Sequence, residues 1–451
     1  MEEMTDPLSD QGALAESQRC LYCYDAPCIH ACPTGIDVPA FIKKIANGEV
    51  ASAAKTILTA NILGGSCARV CPTEVLCEGA CVLGHEYEPI PIGRLQRHAT
   101  DFITKRGISV LKKPTETSGF RVAIIGGGPA GLGCAADLAQ LGHHVVIFEK
   151  ERDAGGLNTR GVAYYKMKPR ISLEEVRLVE SLGVEIRREV NVGVDLSAGK
   201  LLSEYDAVFV AIGLGGGSRL NLPGEYGSGV RSALDFIRDI HEMPLDEVAI
   251  GNSVLVIGGG NTAIDAVSQA KRLGAPSATL AYRRKEERMS AYAFEVALAR
   301  AADCRLLFQA KPMEVLRCAE GNLTGVKFVH ETNGKEWIEP CDQLLVAIGQ
   351  SKQDHWLKSL FPFLELNSQG CVITDPLTSR TNLSKVFAGG DCANGGKEVV
   401  NAVGEGKKAA LAIHQMLTGK TPIPTLQSSR RGIARPPAGA GLWNPVRKPT
   451  H

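Results

Sequence analysis

Eight of the fourteen cysteines fall between Cys20 and Cys81, and their spacing restricts that stretch more than any other feature restricts the rest of the chain. They form two groups, Cys20-x2-Cys23-x4-Cys28-x3-Cys32-Pro33 and Cys67-x3-Cys71-Pro72-x4-Cys77-x3-Cys81. Thiolates this close in sequence can reach one cubane, and in two-cluster ferredoxins the last Cys before a Pro serves the other cluster. A disulfide framework belongs to small secreted domains, and the first ten residues carry no charged start followed by an apolar signal core. Four-Cys zinc sites come as two separated C-x2-C pairs, whereas only Cys20 and Cys23 form such a pair here. The stretch is therefore expected to hold two iron–sulfur clusters and to carry electrons.

A chain of 451 residues exceeds one ordinary core and implies about three domains. Lys plus Arg number 50 and Asp plus Glu 49, so a net charge of +1 offers no attraction to nucleic acid or to an anionic membrane. No apolar run reaches the roughly 18 residues of a spanning helix. Free thiols and clusters need a reducing compartment, and the expected location is the cytoplasm.

Residues 1–18 are acidic and polar and read as an arm or frayed helix. Val38, Phe41, Ile42 and Ile45, then Ile57 and Leu58, recur at helical spacing on either side of Asn47-Gly48, so two helices are expected between the Cys groups. The segment Pro89 to Gln96 opens a further helix that runs to about Lys105. Residues 112–118 read as a linker, which closes a helical domain over 1–111.

From Phe120 the pattern alternates between strand and helix. The apolar run Arg121 to Ile125 meets Gly126-Gly127-Gly128-Pro129-Ala130-Gly131, a small-residue helix follows, and the next strand ends at Glu149. Glycines at that turn let the backbone approach a pyrophosphate seated on the helix N-terminus, and the acid suits ribose hydroxyls. A second copy follows: strand Ser253 to Ile257, then Gly258-Gly259-Gly260-Asn261-Thr262, a helix, and a strand ending at Tyr282. Arg283 and Arg284 stand where the first copy has Glu149. Arginine there suits a 2′-phosphate, and a solvated charge run is the plainer alternative.

The strands Ala207 to Gly213 and Leu344 to Gly349 end alike and are expected to mark crossings between the two nucleotide units. A last strand turns through Gly389-Gly390 to Asp391, whose carboxylate can accept from a ribityl hydroxyl. The fold expected is a helical iron–sulfur domain followed by α/β, with the second of two Rossmann-like domains inserted in the first. The first nucleotide domain takes 119–232 and 349–420 and the second 233–348. Residues 421–451, with Arg430, Arg431, Arg435, Arg447, Lys448 and several prolines, read as a flexible tail.

With the Cys block and the turns at Gly126, Gly258 and Gly390 in this order, the chain resembles the flavin and iron–sulfur electron-input part of dihydropyrimidine dehydrogenase, over residues from about 15 to 420. The stand-alone bacterial subunits are the nearest form, and glutamate synthase small subunits are relatives. The resemblance implies one 4Fe-4S cluster on Cys20, Cys23, Cys28 and Cys81 and a second on Cys32, Cys71, Cys77 and Gln96, with Cys67 a bystander. Gln96 discriminates, because Glu is expected there in the glutamate synthase relatives. FAD is implied at Gly126, Gly128, Pro129, Ala130 and Gly131, with Glu149, Gly156, Gly390 and Asp391, and a nicotinamide dinucleotide at Gly258, Gly259, Gly260, Asn261 and Thr262. Bacterial subunits of this type are associated with NADH, whereas Arg283 and Arg284 favour NADPH; NADH is preferred and both stay open.

A nicotinamide gives two electrons as hydride and a cluster accepts one, so FAD belongs between them. No residue is singled out as a catalytic acid or base. Beyond Leu417 no room remains for a barrel of ~250 residues, so the pyrimidine site is expected on an FMN-containing partner in a hetero-oligomer. Three rivals stand beside this reading: an input subunit for glutamate synthesis, a general NAD(P)H:acceptor oxidoreductase, and a non-enzymatic redox-sensing protein.

Overall fold

The computed structural model describes residues 3–421. The expected tail from Pro422 onward, with its arginines, lies outside the described residues.

The helical part runs through α1 (Asp10–Gln18), α2 (Pro27–His30), α3 (Val38–Ala46), α4 (Val50–Ala60), α5 (Gly64–Val70) and α6 (Ile92–Arg106). Asp37 starts α3, its carboxylate accepting from the Ala40 amide at 3.1 Å, and Val38, Phe41, Ile42 and Ile45 are all buried along one face. Gly107 ends α6 at φ +62°, a left-handed conformation glycine takes without a Cβ penalty. The arm before α1 is tied down rather than frayed. Glu3 accepts from Arg97 at 2.5 Å, and the Met4 amide donates to the Tyr165 carbonyl at 2.7 Å. Those partners lie far along the chain, 94 residues away for Arg97, so the local sequence carries no sign of them.

The first α/β unit contains β1 (Arg121–Ile125), α7 (Pro129–Gln140), β2 (His144–Phe148), α8 (Leu157–Arg160), α9 (Pro169–Ser181), β3 (Glu185–Arg187), α10 (Ala198–Glu204) and β4 (Ala207–Val210). The chain then leaves for β5 (Val230–Ser232), α11 (Ala233–Glu242), β6 (Ser253–Gly258), α12 (Asn261–Arg272), β7 (Ser277–Ala281), α13 (Ala293–Ala301) and β8 (Arg305–Leu307). An antiparallel layer of β9 (Ala310–Arg317), β10 (Leu323–His330) and β11 (Glu336–Pro340) precedes β12 (Gln343–Ala347). Return to the first unit brings α14 (Asp354–Leu360), β13 (Val386–Ala388), α15 (Asp391–Asn394) and α16 (Val399–Thr418).

Two five-stranded parallel sheets result, ordered β13-β4-β1-β2-β3 and β5-β12-β6-β7-β8. The second is thus an insertion between β4 and β13. Its two connecting segments pair with each other: Gly215 donates to the Ser351 carbonyl at 2.8 Å and Ser218 to the Gly349 carbonyl at 2.9 Å. The second sheet begins with β5, which pairs Val230 with Leu344, so Val230–Ser232 belongs to the inserted unit and not to the stretch 119–232. Three residues with one apolar side chain among them carry no readable strand pattern.

One apolar core spans the helical part and the near face of the first sheet. Phe41, Ile57, Leu63 and Leu95 join Ile124, Ile147, Phe209 and Val403 in it. Each such side chain contributes about 1.5–3 kcal/mol on burial, so the helical part is packed onto the sheet rather than tethered to it.

Candidate functional site

At the end of β1 the backbone turns through Gly126, whose φ of +100° excludes most side chains. A Cβ there would stand 2.5 Å from the Ala211 carbonyl oxygen. At Gly131 a Cβ would run into the Gly126 carbonyl, whereas at Gly128 it would meet only the Gly156 Cα, at 3.9 Å. The turn is closed underneath and open above, with Pro129 as the first residue of α7. A turn of this shape has the space and the exposed helix N-terminus that seating a pyrophosphate requires. Gly155 and Gly156 lean on it, the Gly155 amide donating to the Gly127 carbonyl at 2.7 Å.

Glu149 follows β2 directly, beside this turn, and already holds two amides: Gly127 at 2.7 Å and Glu151 at 2.9 Å. A carboxylate offers about four acceptor positions, which leaves room for ribose hydroxyls. Asp391 opens α15, where burial pushes its carboxyl above the usual range while the Lys397 amide, donating at 3.3 Å, opposes that. Glu405, which sequence reasoning missed, accepts from the Gly390 amide at 2.7 Å and so supports the turn at φ +73°.

The second turn borders a cavity of about 600 Å³, lined among others by Gly258, Gly259, Gly260, Thr262, Tyr282 and Arg283. A Cβ on Gly259 would enter the Tyr282 ring, while on Gly260 it would meet only the Ser290 hydroxyl at 3.4 Å. Arg284 does not line this cavity; its backbone carbonyl accepts from the Gln309 amide at 2.9 Å. The Asn261 side chain is used locally, accepting from the Tyr292 amide at 3.1 Å. Of the two arginines, Arg283 is therefore the one at the cavity.

Cys20, Cys23, Cys28 and Cys81 line one small cavity walled by Val38, Ile42, Ile90 and Ile92. Burial pushes the Cys28 thiol up to about 12, and the neighbouring Cys20 and Cys81 add to it. Cys71 is likewise raised, first by a hydrogen bond with Cys67, then by burial and by Cys32 and Cys77. Crowded thiols in apolar surroundings resist ionisation unless a cationic centre compensates them, which is the chemistry of a cluster site. No three His, Cys, Asp or Glu side chains among the described residues converge closely enough for a single ion. A cubane, wider than an ion, spreads its ligands further apart. Gln96 is buried on α6, its amide nitrogen donating to the Gly64 carbonyl at 2.7 Å, which orients the side chain. Cys67 is also buried, next to Cys71.

Sequence reasoning also missed a buried ion cluster between the two α/β units. Lys166, in the loop after α8, lies 2.7 Å from Asp265 on α12 and 2.5 Å from Glu295 on α13. Burial works against its charge, but the two carboxylates outweigh that and hold Lys166 above its ordinary value.

Residues 1–108 match the family described as dihydropyrimidine dehydrogenase domain II, 4Fe-4S cluster, and residues 120–406 match the pyridine nucleotide-disulphide oxidoreductases. The chain is 37% identical over 419 residues to the NAD-dependent dihydropyrimidine dehydrogenase subunit PreT of Escherichia coli (strain K12), covering 93% of this chain and 98% of that one. It is 33% identical to the glutamate synthase (NADPH) small chain of the same organism, covering 92% and 93%. Thioredoxin reductase of T. acidophilum shares the fold, with a TM-score of 0.55 at 21% identity over 66% of this chain and 98% of that one. No helix among the described residues is long and apolar enough to cross a membrane. An iron–sulfur domain of the dihydropyrimidine dehydrogenase type thus precedes two nucleotide units in one continuous match, and the chain belongs to the pyridine nucleotide-disulphide oxidoreductase family as a flavin and iron–sulfur oxidoreductase of the kind that includes the PreT subunits.

Proposed function

We propose that the chain is an electron-input subunit of the cytoplasm that oxidises NADH and delivers electrons to an FMN-containing partner, which reduces uracil and thymine to their 5,6-dihydro forms. Bound at the sites described, FAD would accept electrons in pairs and two 4Fe-4S clusters would pass them on singly. The chain's own residues supply placement. Gly258, Gly259, Gly260 and Thr262 offer the dinucleotide a turn at the start of α12, and Gly126, Gly128, Pro129, Ala130, Gly131 and Gly156, with Glu149, Gly390 and Asp391, form the FAD cradle. Cys20, Cys23, Cys28 and Cys81 would hold one cluster, and Cys32, Cys71, Cys77 and Gln96 the other.

Gln96 carries the choice of pyrimidine over glutamate. A buried neutral amide oriented by Gly64 leaves its cluster one negative charge lighter than Glu would. Gln96→Ala should lose or perturb one cluster only, seen as reduced iron per chain with the other cluster's spectrum intact. Unchanged iron and spectrum would remove the argument for pyrimidines.

Reconstitution tests the whole reading. With an FMN-containing pyrimidine-reducing subunit the chain should support NADH-dependent uracil reduction, and alone it should not. Uracil reduction by the chain alone, or productive coupling to a glutamate synthase large subunit instead, would overturn the assignment.

NADPH is the second reading, because Arg283 lines the nucleotide cavity. If Arg283 contacts a 2′-phosphate, Arg283→Ala should lower kcat/KM for NADPH by roughly tenfold or more, the worth of a charge-assisted bond, and leave NADH little changed. Equal small effects on both nucleotides would make Arg283 a solvated charge.

A further inference from the structure

A run of buried polar side chains joins the FAD cradle to the helix that leads into Cys71, and no step of the electron path uses any of them. Glu175, on α9, accepts from the amides of Gly65 at 2.8 Å and Ser66 at 2.9 Å and also from the Ser66 hydroxyl. The Ser66 oxygen accepts in turn from the Asn158 amide nitrogen at 2.8 Å, which is also 3.1 Å from the Ser172 hydroxyl. Thr159 lies 2.8 Å from that hydroxyl and donates to the Ala154 carbonyl at 2.9 Å. Ala154 adjoins Gly155, whose amide is bound to Gly127 in the cradle. At the other end, the Gly64 carbonyl of the same helix, α5, receives the Gln96 amide, and the Cys71 amide closes α5 onto the Cys67 carbonyl at 3.1 Å.

These side chains are kept from water: Ser66 and Ser172 are fully buried, Asn158 is 2% exposed and Glu175 is 7% exposed. Burial pushes the Glu175 carboxyl up to about 7 even though Ser66, Gly65 and Arg69 pull the other way. A carboxylate is costly to bury without full pairing, and apolar side chains would pack the same space. Helix α5 has seven residues, too few to be stable alone, so tertiary bonds must set its position. The Asn158 side-chain oxygen Oδ1 is buried with no partner among the described residues, an acceptor left open in the residue two after Gly156.

We propose that Glu175, Ser66 and Asn158 are positioning residues that set α5, and with it the cluster on Cys71 and Gln96, against the flavin cradle. Resting on the proposed function, this adds that the geometry between flavin and second cluster is held by a hydrogen-bonded chain and not by apolar packing alone. Cutting it should displace one cluster relative to the flavin while leaving the Cys20, Cys23, Cys28 and Cys81 site as it was.

The test uses the full chain carrying its cofactors, with Asn158→Ala, Ser66→Ala, Glu175→Ala and Glu175→Gln compared by paramagnetic resonance of the reduced clusters, redox titration and rapid-mixing reduction by NADH. The expected result is an altered signal and potential for one cluster only, with flavin-to-cluster transfer slowed about tenfold, an increase of roughly 1.4 kcal/mol in the effective barrier. Glu175→Gln, which keeps an acceptor, should be milder than Glu175→Ala. A lowered melting temperature with both cluster signals, potentials and the transfer rate unchanged would make these residues structural only and overturn the proposal. If Glu175→Ala does not fold, Ser66→Ala, which removes one hydroxyl, decides alone. Failure of the underlying reading looks different: Gln96→Ala would then leave iron content and spectra unchanged as well.

Discussion

Lys166→Met is expected to cost about 3–5 kcal/mol of stability, the range for removing one partner from a buried ion pair. An exposed pair would contribute about 0–1 kcal/mol, so burial decides the size of the effect. The side chains of Lys166, Asp265 and Glu295 are 8%, 9% and 6% exposed. Removing the ammonium leaves two carboxylates facing one another without water. Glu295 already has one carboxylate oxygen that is buried and unpartnered among the described residues. Its carboxyl is raised by burial, which Lys166 counteracts; loss of Lys166 raises it further.

The consequence extends to the arrangement of the two α/β units, because Lys166 does not act alone. The Tyr165 hydroxyl donates to Asp265 at 2.9 Å, the Tyr164 amide donates to the Gln269 side chain at 2.9 Å, and His241 meets the Val162 carbonyl at 2.6 Å. The loop over residues 162–166 of the first unit is in this way docked on α11 and α12 of the second. Denaturant unfolding of Lys166→Met checks the stability loss. A triple variant with Asp265→Asn and Glu295→Gln, which removes the stranded charges, should recover more than half of it. A loss below about 1 kcal/mol would mean the cluster behaves as a solvated surface pair.

Gly126→Ala should yield protein without bound flavin. The methyl group would meet the Ala211 carbonyl at 2.5 Å, and that oxygen belongs to backbone adjoining β4. Backbone held at an unfavourable positive φ costs about 1–3 kcal/mol, and displacement of the turn would disrupt the proposed pyrophosphate seat as well. Gly119→Ala supplies the control. Gly119 has φ +80° but nothing within 4 Å of an added Cβ, so it should show strain and keep its flavin. Absorbance of the purified variants and FAD released on denaturation give the readout. Full flavin occupancy in Gly126→Ala would show that the turn can shift without losing the ligand.

Much of the organisation was legible in consecutive residues. Arg121 to Gly131 and Ser253 to Thr262 each contain a whole strand, turn and helix start, and the backbone there forms β1 with α7 and β6 with α12. Helical spacing around Asn47-Gly48 likewise marks α3 and α4. The strand β5 and the antiparallel layer β9 to β11 were not read. The first is too short to show a period, and the second takes its identity from pairings such as Phe328 with Trp337 that no single strand records.

The sequence by itself determined the chemistry available: which thiols exist, where glycine alone fits, and where a helix must begin or stop. These follow from properties of neighbouring residues, because a positive φ, a capping carboxylate and a 3.6-residue apolar period are local. Only the tertiary structure decided which groups share a site. Glu3 finds Arg97, Lys166 finds Asp265 and Glu295, and Glu175 finds Ser66. A charge buried with its partner depends on a distance of a few ångströms between segments far apart in the chain, and that distance is set by the packing of the core rather than by either segment.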